Sequence, residues 1–153
     1  MTGSSIISFK AKDRRNIVEY FYQLESEEWH RNVHKRGGTK EENIKDTLST
    51  ISKDSIMYEV VYGGERAAFF VKYEDEKGMA IEGFHIKKSF REPWFIKEFW
   101  DMVKKVFDGD IAIGLYKKNI PAIRHVMKQG FVPIKDLMEN GKIFIILKYT
   151  VKP

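Results

Sequence analysis

The sequence predicts an α/β domain: a mixed sheet of about six or seven strands with helices on both faces. Three observations carry this. Gly78 to Phe131 alternates short apolar runs with amphipathic stretches, in the order strand, helix, strand, helix. Two strands joined by a crossover helix must lie parallel, because a tight turn joins only antiparallel neighbours. Before and after this unit, Gly63-Gly64 and Asn140-Gly141 separate pairs of β-type runs, and such dipeptides favour two-residue hairpin turns.

The elements follow in order. Ser5–Phe9 is a short first strand. Asp13 caps a helix whose apolar positions are Ile17, Tyr20, Phe21 and Leu24. Glu25 to Lys40 is polar and reads as a helix end followed by a loop; it holds Trp29, His30, His34, Lys35 and Arg36. Thr39-Lys-Glu-Glu42 has the spacing of a capping box and opens a helix through Ile44, Leu48 and Ile51. Met57–Tyr62, Ala67–Tyr73 and Met79–Ile86 are three strands joined by turns, an antiparallel meander. Ser89-Phe-Arg-Glu92 has a second capping-box pattern, ahead of apolar residues at helical spacing: Phe95, Ile96, Phe99, Met102, Val103 and Val106. Asp108-Gly-Asp110 stops that helix, and Ile111–Tyr116 is the next strand. Asn119 as N-cap, Pro121 in the first turn and Gly130 as C-terminal stop bound the last helix. Val132–Leu137 and Ile143–Val151 close the chain as a hairpin.

Composition narrows the function classes. The 153 residues suit one domain spanning 1–153, and 42% hydrophobic with 14% aromatic content fills a sizeable core. Without cysteine, disulfide scaffolds, Cys-ligated zinc and Cys nucleophiles are excluded. No apolar run approaches the roughly 20 residues needed to cross a bilayer, and Met1-Thr-Gly-Ser-Ser lacks the marks of a secretory signal, so a cytoplasmic protein is expected. The net charge of +5 suits a phosphate-bearing ligand. No RNA-binding signature accompanies it, so nucleic acid is not the expected partner. His30 and His34 have the i, i+4 spacing of metal ligands on a helix but no third ligand nearby, so they read as a solvated face and no metal is expected.

The element order, with Asn119-x-x-Ala122 and Lys128-Gln-Gly-Phe131, resembles the GNAT acyltransferase superfamily over nearly the whole chain. The resemblance implies that the fourth and fifth strands splay apart, near His85 and Gly114, to admit acetyl-CoA. Phe84, His85 and Ile86 would then meet the pantetheine arm, Arg91 would begin the phosphate loop, and Asn119 and Ala122 would belong to the cofactor site. An amine on a small molecule or a protein would be the acceptor. Two departures stand out. The family places Gly and Gly/Ala where this chain has Trp94 and Ile96, and Pro93 removes an amide donor from the loop. The tyrosine that protonates the leaving thiolate in many members aligns with Val126.

The chemistry needs a base, a polarised carbonyl and an acid. Glu82 is the candidate base, as the one carboxylate on its strand, with a surface carboxylate as the alternative. His85, at the splay point, is a second candidate. Tyr116 is the candidate acid by position, with a packed rim aromatic as the alternative. His125 adjoins the missing tyrosine, but one residue along a helix turns a side chain by about 100°, so it is not expected to substitute. Lys87, Lys88, Arg91, Lys117 and Lys118 gather at the carboxyl ends of the two strands, where phosphates would enter. Trp94, in the first turn of the following helix, is expected to cover the gap. The departures also support a second reading, a non-catalytic GNAT-derived domain that binds a protein partner, similar to GNAT-like chains of bacteriophages and their virions.

Overall fold

The computed structural model describes residues 6–32 and 39–151. Ser5, His34 and the rest of the basic segment 33–38 lie outside the described residues, as does the His30 side chain. The elements are β1 (Ile6–Lys10), α1 (Arg14–Asn32), α2 (Lys40–Ser49), β2 (Ile56–Tyr62), β3 (Glu65–Asp75), β4 (Gly78–Ile86), α3 (Pro93–Phe107), β5 (Ile111–Tyr116), α4 (Ile120–Lys128), β6 (Val132–Glu139) and β7 (Lys142–Tyr149). The strands form one seven-stranded sheet in the order β1-β2-β3-β4-β5-β7-β6. Among the described strands only β4 and β5 pair in parallel, across the α3 crossover. No described helix is long and apolar enough to cross a membrane.

Turn chemistry fixes the hairpins. Gly63 and Gly64 both take positive φ between Tyr62 and Glu65, and Asn140 and Gly141 do so between Glu139 and Lys142. Positive φ at both central residues is what a two-residue hairpin of matching twist demands. The helices divide between the faces. Ile17, Val18, Phe21 and Ile44 bring α1 and α2 onto one face, against Met57, Phe69 and Val71. Phe95, Phe99, Trp100, Val103, Ile123 and Val126 bring α3 and α4 onto the other, against Phe70, Ile81 and Ile113.

Helix ends match the sequence in most places. Thr39 and Glu42 form the reciprocal capping box. The Asp13 carboxylate accepts from the Asn16 amide at 3.1 Å. After α4, the Gly130 amide donates to Met127 O and the Phe131 amide to Val126 O. With Gly130 at φ +99°, this is a Schellman stop, and it drives Phe131 into the core. That is a structural reason for Gly130-Phe131. The Ser89 capping box does not form. Ser89 lies in a 3-10 turn, Lys88–Phe90, and α3 starts at Pro93 behind Glu92, which makes no side-chain cap. Pro93 fixes the start, because its ring is compatible with the first helical position and lacks an amide that needs a partner.

Candidate functional site

The strands β4 and β5 pair only through Met79–Ile111, Ala80–Ala112 and Ile81–Ile113. Beyond that, among the described strands, β4 runs on to Ile86 paired with β3 alone, and β5 runs on to Tyr116 paired with β7 alone. Their facing edges, residues 82–86 and 114–116, share no ladder among the described strands, so the pairing is lost toward their carboxyl ends, at the β4–β5 gap. At its apex β4 bulges: Gly83 pairs with Val71 and Ile81 with Lys72, so Glu82 is the extra residue.

One face of the gap is ionic. Non-helical backbone at Glu25 (φ −131°, ψ 32°) kinks α1 and aims its carboxylate at β4. Glu25 Oε1 lies 2.5 Å from His85 Nε2, and Oε2 accepts from the Lys88 amide at 2.7 Å. Since an ionised carboxylate only accepts, the His85 proton sits on Nε2. Phe21 and Phe69 pack against the His85 ring. Arg91 donates from Nε to Ile86 O at 2.8 Å and grips Glu28 with two bonds of 2.5 Å. Burial opposes ionisation of Glu25, but the bonds from His85 and Lys88 outweigh it and hold its carboxyl below the usual value. The Arg91 bonds do the same for Glu28 against its burial. Donor atoms of Glu25, Glu28 and His85 lie within 4.8 Å of one another, a metal-sized cluster. The cation it already holds is Arg91, whose guanidinium is 3.7 Å from Glu25. Beside this network a groove of about 250 Å³ is lined by Leu24, Glu25, Ser26, Glu27, Glu28 and Lys88.

The other face is aromatic. Phe84 lies edge-on to Trp100 at 5.2 Å and parallel to the His125 ring at 5.8 Å. The Trp100 indole N–H donates to His125 Nε2 at 2.8 Å. Burial, with the positive charges of Arg91 and Lys128, pushes the His125 pKa down to about 4, so the ring is neutral at pH 7. His125 therefore faces into the helix–sheet layer beside the gap, contrary to the expectation that its place along α4 would turn it away.

No protein-family model matches the sequence, and no curated protein does either. Solved structures match along almost its whole length. The acetyl transferase that modifies the N-terminal serine of ribosomal protein L7/L12 in Salmonella typhimurium superposes with a TM-score of 0.68 at 12% identity, covering 99% of this chain and 97% of that one. AAC(6')-Ib, in complex with paromomycin and acetyl-CoA, gives 0.68 at 14% identity, covering 95% and 93%. A Bacillus subtilis acetyltransferase bound to CoA gives 0.60 at 15% identity, covering 97% and 100%. The fold is the GNAT fold.

Within the GNAT fold, the residues named from sequence divide into two groups. His85, Ile86 and Arg91 come together on the ionic face, and Phe84 lines the aromatic one. Asn119 is buried and caps α4, its side-chain oxygen accepting from the Ala122 amide at 3.4 Å, which accounts for the Asn-x-x-Ala spacing. Glu82 accepts from the Ser52 amide at 2.8 Å and from the Ser52 and Ser55 hydroxyls, so its carboxylate ties down the loop after α2. Tyr116 stacks on Phe144 at 4.7 Å, with Lys142 Nζ 3.4 Å from its hydroxyl, and turns toward the β6–β7 hairpin. Trp94 corrects its expectation. It is 45% exposed and packs on Tyr62 of β2 and on Phe95, so it does not fill the space between β4 and β5. The first turn of α3 carries it outward, over the β2 end of the sheet.

Of the lysines at the strand ends, Lys87 is held by Tyr20 and Glu65, and Lys117 by Asp136; Lys88 and Lys118 are exposed. Glu25, Glu28 and the Trp100–His125 pair escaped the sequence reading. The run Glu25-Ser-Glu-Glu28, which breaks the apolar period of α1, was the available signal for the first two. Trp100 and His125 lie on different helices, and no local pattern joins them.

Proposed function

We propose that this chain is an acyltransferase domain that transfers an acetyl group from acetyl-CoA to an amine. The observation that carries the reading is the loss of β4–β5 pairing after Ile81–Ile113, which leaves two strand edges able to hydrogen-bond an extended, amide-bearing chain such as pantetheine. AAC(6')-Ib and the B. subtilis protein, with the same fold, hold acetyl-CoA and CoA. The first amides of α3 have no intrahelical acceptors and form the anion end of the site. Pro93 supplies no amide, Ile96 stands where a glycine would admit a phosphate, and exposed Lys88 and Lys118 supply positive charge. Acetyl-CoA affinity is therefore weaker than about 1 μM and falls with added salt.

The acceptor ammonium enters from the ionic face, along the groove of Leu24 to Glu28. It gives up a proton, and its nitrogen attacks the thioester carbonyl. We assign the proton-accepting role to the Glu25–His85 pair, since the Glu82 lone pairs are directed into the Ser52–Ser55 loop. The test is CoA thiol release from acetyl-CoA with a panel of polyamines and lysine peptides. Release that is lost in His85→Asn and kept in Glu82→Gln supports the reading. No release with any amine, together with no calorimetric acetyl-CoA binding, overturns it.

One observation favours a second reading, a non-catalytic protein-binding domain. Arg91 already occupies the Ile86 carbonyl at the mouth of the gap, while Trp94 stands exposed on Tyr62, a side chain of the type enriched at interface hot spots.

A further inference from the structure

We propose that His125 is a catalytic residue: a neutral imidazole, locked by Trp100 as its Nδ1–H tautomer, that donates a hydrogen bond to the thioester sulfur as the C–S bond breaks. The role rests on the transferase reading above.

The argument starts from donors and acceptors. An indole N–H only donates, so the His125 Nε2 that lies 2.8 Å from Trp100 Nε1 must be the bare nitrogen. The proton of the neutral ring is then on Nδ1. Among the described residues no acceptor bonds to Nδ1, yet no fully buried side-chain nitrogen or oxygen is left without a partner. Nδ1–H therefore reaches open space. The two ring nitrogens point in nearly opposite directions. With Nε2 aimed at α3, Nδ1 points away from that helix, along the Phe84 ring that the imidazole parallels. Phe84 lies on the stretch of β4 that is no longer paired with β5, so the imidazole lies beside that strand edge, within reach of a ligand held there.

The chemistry suits a donor that stays neutral. The amine nitrogen forms the C–N bond, the C–S bond breaks, and its electron pair goes to sulfur. A neutral imidazole is far too weak an acid to give up its Nδ1 proton. It stabilises the developing negative charge by hydrogen bonding, and the sulfur takes the proton that the amine nitrogen sheds. A neutral histidine used as a hydrogen-bond donor has a precedent in triosephosphate isomerase. Removing a donor aimed at developing charge costs roughly 100- to 1,000-fold in kcat. Trp100 is the positioning residue: it holds the tautomer without reaching the gap.

The experiment is long-range proton–nitrogen NMR of the full-length protein labelled with ¹⁵N at histidine, with CoA binding followed in parallel by calorimetry. We expect His125 to show a protonated Nδ1 and a bare Nε2, and saturating CoA to move the Nδ1 signal. Trp100→Phe, which removes the indole donor, mixes the tautomers. In the transfer assay His125→Phe lowers kcat roughly 100-fold with little change in KM for acetyl-CoA. An Nε2–H tautomer, or an Nδ1 signal unmoved while calorimetry records bound CoA, overturns this role and leaves the transferase reading standing. No CoA binding at all overturns both.

Discussion

Two histidines flank the same gap, and their surroundings make them opposites. His85, on β4, donates a hydrogen bond from Nε2 to the Glu25 carboxylate, within a network that includes Glu28 and Arg91. His125, on α4, accepts at Nε2 from an indole and is walled in by Phe84 and Trp100. Burial keeps the His125 imidazole unprotonated, with Nε2 facing a donor, whereas Nε2 of His85 faces an acceptor. On the proposed reading, the proton-accepting group lies on the side where an amine would arrive and the neutral donor on the side where sulfur would leave. The difference comes from what each helix brings: α1 is kinked at Glu25 and brings carboxylates, while α3 brings aromatic rings.

The contrast can be broken from the aromatic side with the largest effect. Trp100 is 1% exposed and touches Phe84, Phe99, His125 and Phe131. Trp100→Ala should lower unfolding stability by about 3–5 kcal/mol, the cost of truncating a buried aromatic, as read from urea denaturation.

The next effect is a dependence on pH. The His125 pKa is pushed from the ordinary 6.5 to about 4 in the fold. Between these values the unfolded chain binds the extra proton and the folded one does not. Stability is therefore full above pH 6.5, falls as the pH drops toward 4, and loses about 3 kcal/mol over that window. Glu25 and Glu28, held below their ordinary 4.5, add a further loss in the same direction at lower pH. Urea midpoints at pH 7 and pH 4.5 check this, and His125→Phe should flatten the difference.

On the ionic face the effect is smaller. Arg91 and Glu28 side chains are 31% and 28% exposed, so water screens part of what is lost when the pair is broken. Arg91→Gln should cost about 1–2 kcal/mol. The smallest effect belongs to Trp94, which lies outside the gap: Trp94→Ala should cost no more than about 1 kcal/mol and leave acetyl-CoA affinity unchanged. Tighter acetyl-CoA binding in that variant would show that the indole does obstruct the site.

The two faces were not equally legible in the sequence. Local rules marked the hairpins, the crossover helix and most caps, because Gly63-Gly64, Asn140-Gly141, Thr39–Glu42 and Gly130 act on their own neighbours. His85, near the end of β4, and Arg91, just after it, were found by the phase of the family resemblance. What they bond to was hidden. Glu25 reaches His85 across 60 positions, and its aim depends on a helix kink. Trp100 meets His125 across 25 positions on another helix. Trp94 was misjudged for the converse reason. Its place in the first turn of α3 was read correctly, but Tyr62, two strands from the gap, captured the ring.

The central claim is that the β4–β5 gap receives acetyl-CoA. Amide chemical-shift mapping during an acetyl-CoA titration tests it most directly. The account predicts shifts concentrated at residues 83–86 and 114–116 and at the first amides of α3, weakening as salt is added. Shifts confined to Lys117, Lys118, Lys142 and Ile143, on the hairpin side of the sheet, or no shifts at millimolar acetyl-CoA, would contradict it.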